Sequence, residues 1–398
     1  MSIMPDEFTA ETPTYTIDAA DLREAILILK KKASTGQRRA EIRMNPAALE
    51  ITYESIDKDS VITGCRLDAD RDGDFYAHTG AHTYAVDLYA LDKITRKICK
   101  LGGPITFQVA ELTRGKKTCR SLSIVHAEIA LRIDVARYGR PPELPQENTR
   151  IFNAERFARV LQSAAPAMTT DNARENIWGL LVGEREIVAT DGFRLRVVPH
   201  GAEVDRPLRI APEAVHRAIY AASKSDADEI TIADVDTSAL KPALPKGRSR
   251  HRITIGDVWI EYTAGHPDLY PDFRQVLPSF DPAHRVTMRS EDLLDAVKLL
   301  EPVSSTKCPS VRLTFDEAIT AYTSDPELGA EATVDVEGEI ADGASPRKAA
   351  FNPAFLVDVA KDLGDEIEVY PIDTLSPCRF QDVDADDGDF WVVMPMRL

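Results

Sequence analysis

Trp391-Val392-Val393-Met394-Pro395-Met396-Arg397-Leu398 is the closing stretch of the chain. Terminal segments usually fray and carry polar residues, yet this one is apolar almost throughout. The β-branched pair Val392 and Val393 predicts a strand. Pro395, which has no N–H, predicts where its pairing stops. Met394 and Met396 are flexible and polarizable, as suits a surface that accommodates varied partners. On these residues alone two readings stand: a last core strand with an apolar end, or a strand that runs out into a binding surface.

Working outward, the full length of 398 residues exceeds one ordinary core and predicts two or three domains. With 43% hydrophobic and 28% charged residues, the composition is that of a soluble globular protein. The apolar runs fall well short of a membrane span, and Met1 to Thr14 carries acids and prolines rather than a signal peptide. Five cysteines, Cys65, Cys99, Cys119, Cys308 and Cys378, are scattered without a CxxC pair. That pattern predicts a reducing, cytoplasmic setting and neither disulfides nor a zinc site.

One pattern recurs along the chain: a short apolar strand, a polar or proline residue, then an amphipathic helix. It begins at Tyr15, Tyr84, Arg150, Leu208, Val286 and Ala350. The helices that follow are predicted over Leu22 to Leu29, Leu88 to Leu101, Phe157 to Leu161, from Pro212, Leu293 to Leu300 and Leu356 to Leu363. Asp, Asn and Pro at the junctions are ordinary helix starts. Copies spaced roughly 60 to 80 residues apart are too widely separated for a solenoid. Between them the alternation predicts strands at Ala40 to Met44, Ile105 to Val109, Ile187 to Ala189, Ile230 to Ile232, Arg252 to Ile255, Val311 to Phe315 and Ile367 to Tyr370. Two copies per domain give three α+β domains, residues 1–148, 149–284 and 285–398, each with two helices packed on antiparallel sheets.

The net charge of −17 opposes nucleic-acid binding when taken globally, so its distribution decides. Asp68 to Asp74, Asp226 to Glu229 and Asp382 to Asp389 concentrate acid. Basic residues gather instead on the predicted helices. In the second, Lys93, Arg96, Lys97 and Lys100 form a stripe opposite Leu91, Ile94, Ile98 and Leu101. Lys30, Lys31, Lys32 and Arg38 lie at and beyond the end of the first. Arg156 and Arg159 lie on the third, with Arg174 and Arg217 further on. A basic stripe is ordinarily a solvated face. Segregated in an acidic chain, it fits a lining that tracks phosphates without reading bases.

Catalytic motifs are missing. Asp68-Ala-Asp70-Arg-Asp72-Gly73-Asp74 imitates the start of a calcium loop, but Thr79 stands where a bidentate Glu belongs, so a hairpin turn is the expectation. The sequence carries no HExxH, P-loop, GxSxG or dinucleotide fingerprint. Its eight histidines lack metal-ligand spacing. Neither cofactor, metal nor catalytic residue is expected.

Three stretches carry a resemblance. The ending Val-Val-Met-Pro-Met-Arg-Leu resembles that of the bacterial DNA polymerase III beta subunit, the sliding clamp. Ala189-Thr190-Asp191-Gly192-Phe193-Arg194-Leu195 resembles that family's Ala-Thr-Asp-Gly-His-Arg-Leu, with Phe193 where histidine is common. Tyr270-Pro271-Asp272-Phe273-Arg274-Gln275-Val276-Leu277-Pro278 resembles its Phe-Pro-Asp-Tyr-Arg-Arg-Val-Leu-Pro, with Gln275 for a frequent arginine. Residues 1–148 agree only in pattern.

The resemblance implies three clamp-type domains, two chains joined head to tail as a homodimeric ring, and double-stranded DNA encircled without sequence preference. It implies no reaction, only processivity for a polymerase. It further implies a hydrophobic pocket for Gln-Leu-x-Leu-Phe motifs of the DNA polymerase III alpha subunit, clamp loader and repair proteins. By position the pocket comprises Ile177, Thr190, Gly192, Phe193, Arg194, Leu195, Pro271, Gln275, Val276, Asn352, Phe355, Leu375, Pro377, Val392, Val393, Met394, Pro395 and Met396. Two alternatives remain: a clamp paralogue serving repair or plasmid replication, and a hydrolase with an unrecognised site.

Overall fold

The computed structural model describes residues 14–30, 39–44, 48–54, 62–68, 70–72, 82–114, 117–126, 129–137, 144–238, 243–277, 279–341, 347–385 and 388–397. Among these the chain is α+β, rich in antiparallel sheet, with six α-helices. They are α1 (Ala19–Lys30), α2 (Leu88–Ile98), α3 (Ala154–Ala164), α4 (Pro212–Ala222), α5 (Ser290–Leu300) and α6 (Pro353–Asp362). A strand leads into each, so all six copies of the repeat are present.

Residues at the junctions explain the starts. Asp87 accepts from the Ala90 amide at 2.8 Å, Asn153 from Arg156 at 2.9 Å and Asn352 from Ala354 at 3.0 Å. Each satisfies an amide that the first helical turn leaves open. Pro212 and Pro353 open α4 and α6 with φ already set. Apolar faces then hold the helices down. Leu22, Ile26 and Leu29 of α1 and Leu293, Val297 and Leu300 of α5 are buried, each contributing about 1.5–3 kcal/mol. The predicted second helix is shorter than expected, ending at Ile98. Leu101 therefore lies beyond it and is 61% exposed, not part of the apolar face.

The chain forms two compact units, Met1–Ala158 with Glu213–Ala264, and Arg159–Pro212 with Gly265–Leu398. The division runs through the expected central segment, and backbone ladders show why. In the first unit Val258, Trp259, Ile260 and Glu261 pair with Cys65, Gly64, Thr63 and Ile62 inside a 13-stranded sheet. In the second, Arg194 to Val197 pair with Val393 to Phe390 inside a nine-stranded sheet. Gly64 makes the first junction possible: a Cβ there would stand 2.2 Å from the Trp259 indole, whose Nε1 donates to Glu50 at 2.9 Å.

Asp70–Asp72 pairs antiparallel with Thr14–Thr16 at a sheet edge; Ala69, Gly73 and Asp74 of the calcium-loop look-alike, and Thr79, lie outside the described residues. The second unit also holds a four-stranded sheet that includes Arg347–Phe351 and ends at Ala330–Val336. None of the described helices is long and apolar enough to cross a membrane.

Candidate functional site

Phe390–Val393 is not a frayed end. It is flanked on both sides, by Arg194–Pro199 and by Cys378–Asp382, with Trp391 fully buried and its Nε1 donating to Asp362 at 2.8 Å. Strand pairing stops at Val393, as Pro395 requires. The two amides beside that proline still find partners: Met394 donates to the Phe193 carbonyl at 2.8 Å and Met396 to the Ala350 carbonyl at 2.6 Å. Residues 394–396 thus tie the nine-stranded sheet to the four-stranded one within the second unit.

The loop from Asp191 to Phe193 is built for tightness. Gly192 takes φ +87, a region where side chains are strained. Its amide donates to Thr190 Oγ1 at 3.0 Å, and Thr190 donates to the Arg194 carbonyl at 2.7 Å. Arg194, mostly buried, donates to Asp191 at 3.0 Å and to Asp358 of α6 at 2.5 Å, and its guanidinium lies 4.3 Å from the Phe355 ring. Next to it Arg196 bridges Asp362, at 2.9 Å, and Asp389.

Beneath these lies a cluster of Ile177, Val188, Leu195, Val197, Tyr270, Phe273, Phe390 and Val392. Three residues of the expected pocket, Ile177, Leu195 and Val392, belong to it. Pro271 and Gln275 flank its Tyr270 and Phe273 and are exposed. Asn352 is spent on capping α6. Asp373 accepts from the Leu375 and Ser376 amides, which hold its carboxyl below the usual range and turn Leu375 outward. Pro377 is half-buried beside Cys378, which pairs with Val393. Three large apolar side chains stay exposed around this framework: Phe193 at 56%, Leu375 at 58% and Met394 at 39%. An apolar floor with a few fixed polar groups suits recognition of short apolar peptide segments. The Val276 side chain and Pro278 lie outside the described residues.

The basic residues divide. Lys93, Lys97 and Lys100 are exposed around α2, as are Arg156 and Arg159 on α3. Lys30, Arg23 and Arg96 converge instead on Asp92, at 2.6, 2.6 and 2.7 Å. Asp92 is buried, which raises its pKa, but hydrogen bonds from these cations prevail and hold it at about 2. Arg217 was expected to face DNA and does not. It is fully buried, paired with Glu213 and stacked 5.4 Å from Tyr53, because its place on α4 falls on the face turned into the core. Arg174 sits with the loop, donating to the Asp191 carbonyl at 2.7 Å with its guanidinium 5.8 Å from the Phe193 ring. Lys31, Lys32 and Arg38 lie outside the described residues. Asp92 carried no signal beyond its place on α2 among basic residues, and Asp358 read as one of the acids of the sixth helix, its pairing with Arg194 invisible to any local pattern.

Residues 274–397 match the family model described as DNA polymerase III beta subunit, C-terminal domain. Comparison with curated protein sequences gives no match. Among solved structures, the DNA polymerase III beta subunit of Thermotoga maritima is similar with a TM-score of 0.75, and that of Pseudomonas aeruginosa with 0.76. A sliding clamp from Pseudomonas aeruginosa with ligand gives 0.73. All three share 18% identity, covering 97% of this chain and 100% of theirs. The chain has the sliding-clamp fold. Its last third carries a domain of the DNA polymerase III beta subunit kind.

Proposed function

We propose that this protein is a processivity factor: two copies close head to tail into a ring around duplex DNA and tether a polymerase without catalysing a reaction. Each chain contributes three domains, residues 1–148, 149–284 and 285–398. Exposed lysines of α2, with Arg156 and Arg159, face phosphates. The surface around Phe193, Leu375 and Met394 receives Gln-Leu-x-Leu-Phe segments of the polymerase alpha subunit, the clamp loader and repair proteins in the cytoplasm. One observation carries the reading: the Val-Val-Met-Pro-Met ending is locked by backbone hydrogen bonds to Phe193 and Ala350, leaving apolar side chains exposed on a rigid base. Such an arrangement pre-organises a docking surface. Phe193 and Gln275, where histidine and arginine are frequent, favour a partner set of this clamp's own.

The deciding experiment separates topology from affinity. Protein loaded onto nicked circular DNA by its cognate loader is expected to stay bound in high salt, since ions do not cut a topological link, and to leave when the circle is cut. Loss from intact circles with the same salt dependence as from linear duplex would overturn the ring.

A further inference from the structure

A second surface in the same unit is built on Pro267–Arg274 and shares Tyr270, Pro271 and Phe273 with the first. A shallow groove of about 510 Å³ is walled by the turn Gly183 to Glu186, by Pro207 and by Pro267 to Arg274. Its volume falls within the range of about 300–1,000 Å³ typical of ligand sites. The base is apolar: Leu181 is half-buried, and Tyr270 and Phe273 belong to the core cluster. The rim is acidic. Among the described residues that line it, Glu184, Glu186, Asp268 and Asp272 stand with Arg185 and Arg274, and both arginines are already engaged, with Glu203 and Glu186. Asp272 caps the following turn through the Arg274 amide at 3.1 Å, and Asp268 lies 3.4 Å from the exposed His266. Among the described residues no three such acids come close enough to share a metal ion.

We infer that this groove docks a basic peptide segment, a proline or aliphatic residue resting on Leu181, Tyr270 and Phe273 while flanking lysines or arginines meet Glu184, Asp268 and Asp272. Separated carboxylates suit several cationic side chains rather than one ion. The same charge repels nucleic acid. Complementary charge around an apolar base directs both encounter and choice of partner. Three prolines, Pro207, Pro267 and Pro271, hold the walls without rotamer freedom to lose.

Fluorescence anisotropy with full-length protein and a fluorescein-labelled Lys-Pro-Leu-Pro-Arg-Lys peptide tests this. Saturable binding is expected, weakened by about tenfold or more in Glu184→Lys with Asp268→Lys, because like charges then face each other. The reversal Glu317→Lys with Glu337→Lys, at exposed acids elsewhere in the unit, is expected to change affinity less than about twofold, since screening limits exposed charge beyond about 10 Å. Protein cut before Met394 is expected to keep its affinity for the basic probe even as it loses Gln-Leu-x-Leu-Phe binding, so failure of one site is distinguishable from failure of the other. Equal losses from the two charge reversals would assign binding to diffuse charge and overturn the groove. So would affinity unchanged in Glu184→Lys with Asp268→Lys.

Discussion

Asp92 is one buried carboxylate serving three cations, and its position decides what the basic stripe beside it can do. Arg96 spends its guanidinium on Asp92, as do Arg23 and Lys30, while Lys93, Lys97 and Lys100 remain exposed. Replacing Asp92 with Asn leaves these cations crowded together over a neutral group. Breaking a buried pair costs about 3–5 kcal/mol, and partial exposure of the partners reduces that, so about 2 kcal/mol is expected. The sign with pH follows from the depressed pKa of about 2 against about 3.9 in the unfolded chain. The stabilisation is present above about pH 4 and is lost as pH falls toward 2. Urea unfolding of wild type and Asp92→Asn should therefore show a gap at pH 7 that closes near pH 2. A gap of equal size at both pH values would remove Asp92 from its assigned role.

The strand–helix repeat was legible because helix starts are written locally. Asp87, Asn153 and Asn352 cap the very helices that their positions announce. Arg217 was not legible, since a helix periodicity does not say which face meets the core when basic and apolar residues alternate. The candidate site was half-legible: Leu195 and Val392 could be placed by resemblance, but the Arg194–Asp358 and Arg196–Asp362 pairs join residues more than 160 positions apart. The unit boundaries were illegible for the same reason, because ladders such as Trp259 with Gly64 depend on pairings no local pattern encodes. Two expectations belong to single elements. Deleting Met394 to Leu398 removes two backbone hydrogen bonds but no rung of the Phe390–Val393 ladder. The fold should persist by circular dichroism while calorimetry shows a Gln-Leu-x-Leu-Phe peptide losing at least about 2 kcal/mol. Unchanged affinity would place the peptide elsewhere. On α2 and the turn after it, changing Lys93, Lys97 and Lys100 to Ala should flatten the salt dependence of binding to short linear duplex, by roughly 0.9 in slope for each phosphate no longer neutralised. Arg96→Ala should instead act mainly on stability, through Asp92. A slope left intact by the triple change would move the DNA-facing surface off α2.

A chain that closes a ring with a copy of itself must present two different surfaces, one at each end of its domain series. A head-to-tail interface of this kind is heterologous, and such interfaces either close or propagate into open filaments. The described structure offers one suitable feature in the second unit. Ala330–Val336 pairs with Ile319–Asp325 on one side and is the last strand of its sheet. An edge strand of that kind carries unpaired amides and carbonyls, which a neighbouring chain can complete. Glu331, Thr333 and Asp335 point to solvent along it, and these polar side chains discourage indiscriminate edge pairing while leaving the backbone available to a matched partner. Assembly through such edges should give two equal interfaces per ring, each in the size class of stable association, at least about 1,200 Å². Light scattering is therefore expected to report about twice the 44.0 kDa chain mass at micromolar concentration, with no growth on further concentration, because two copies already satisfy both surfaces. Mass that climbs with concentration would mean the interfaces propagate without closing. A stable single-chain mass would mean they do not form, and either result would remove the ring from which topological tethering follows.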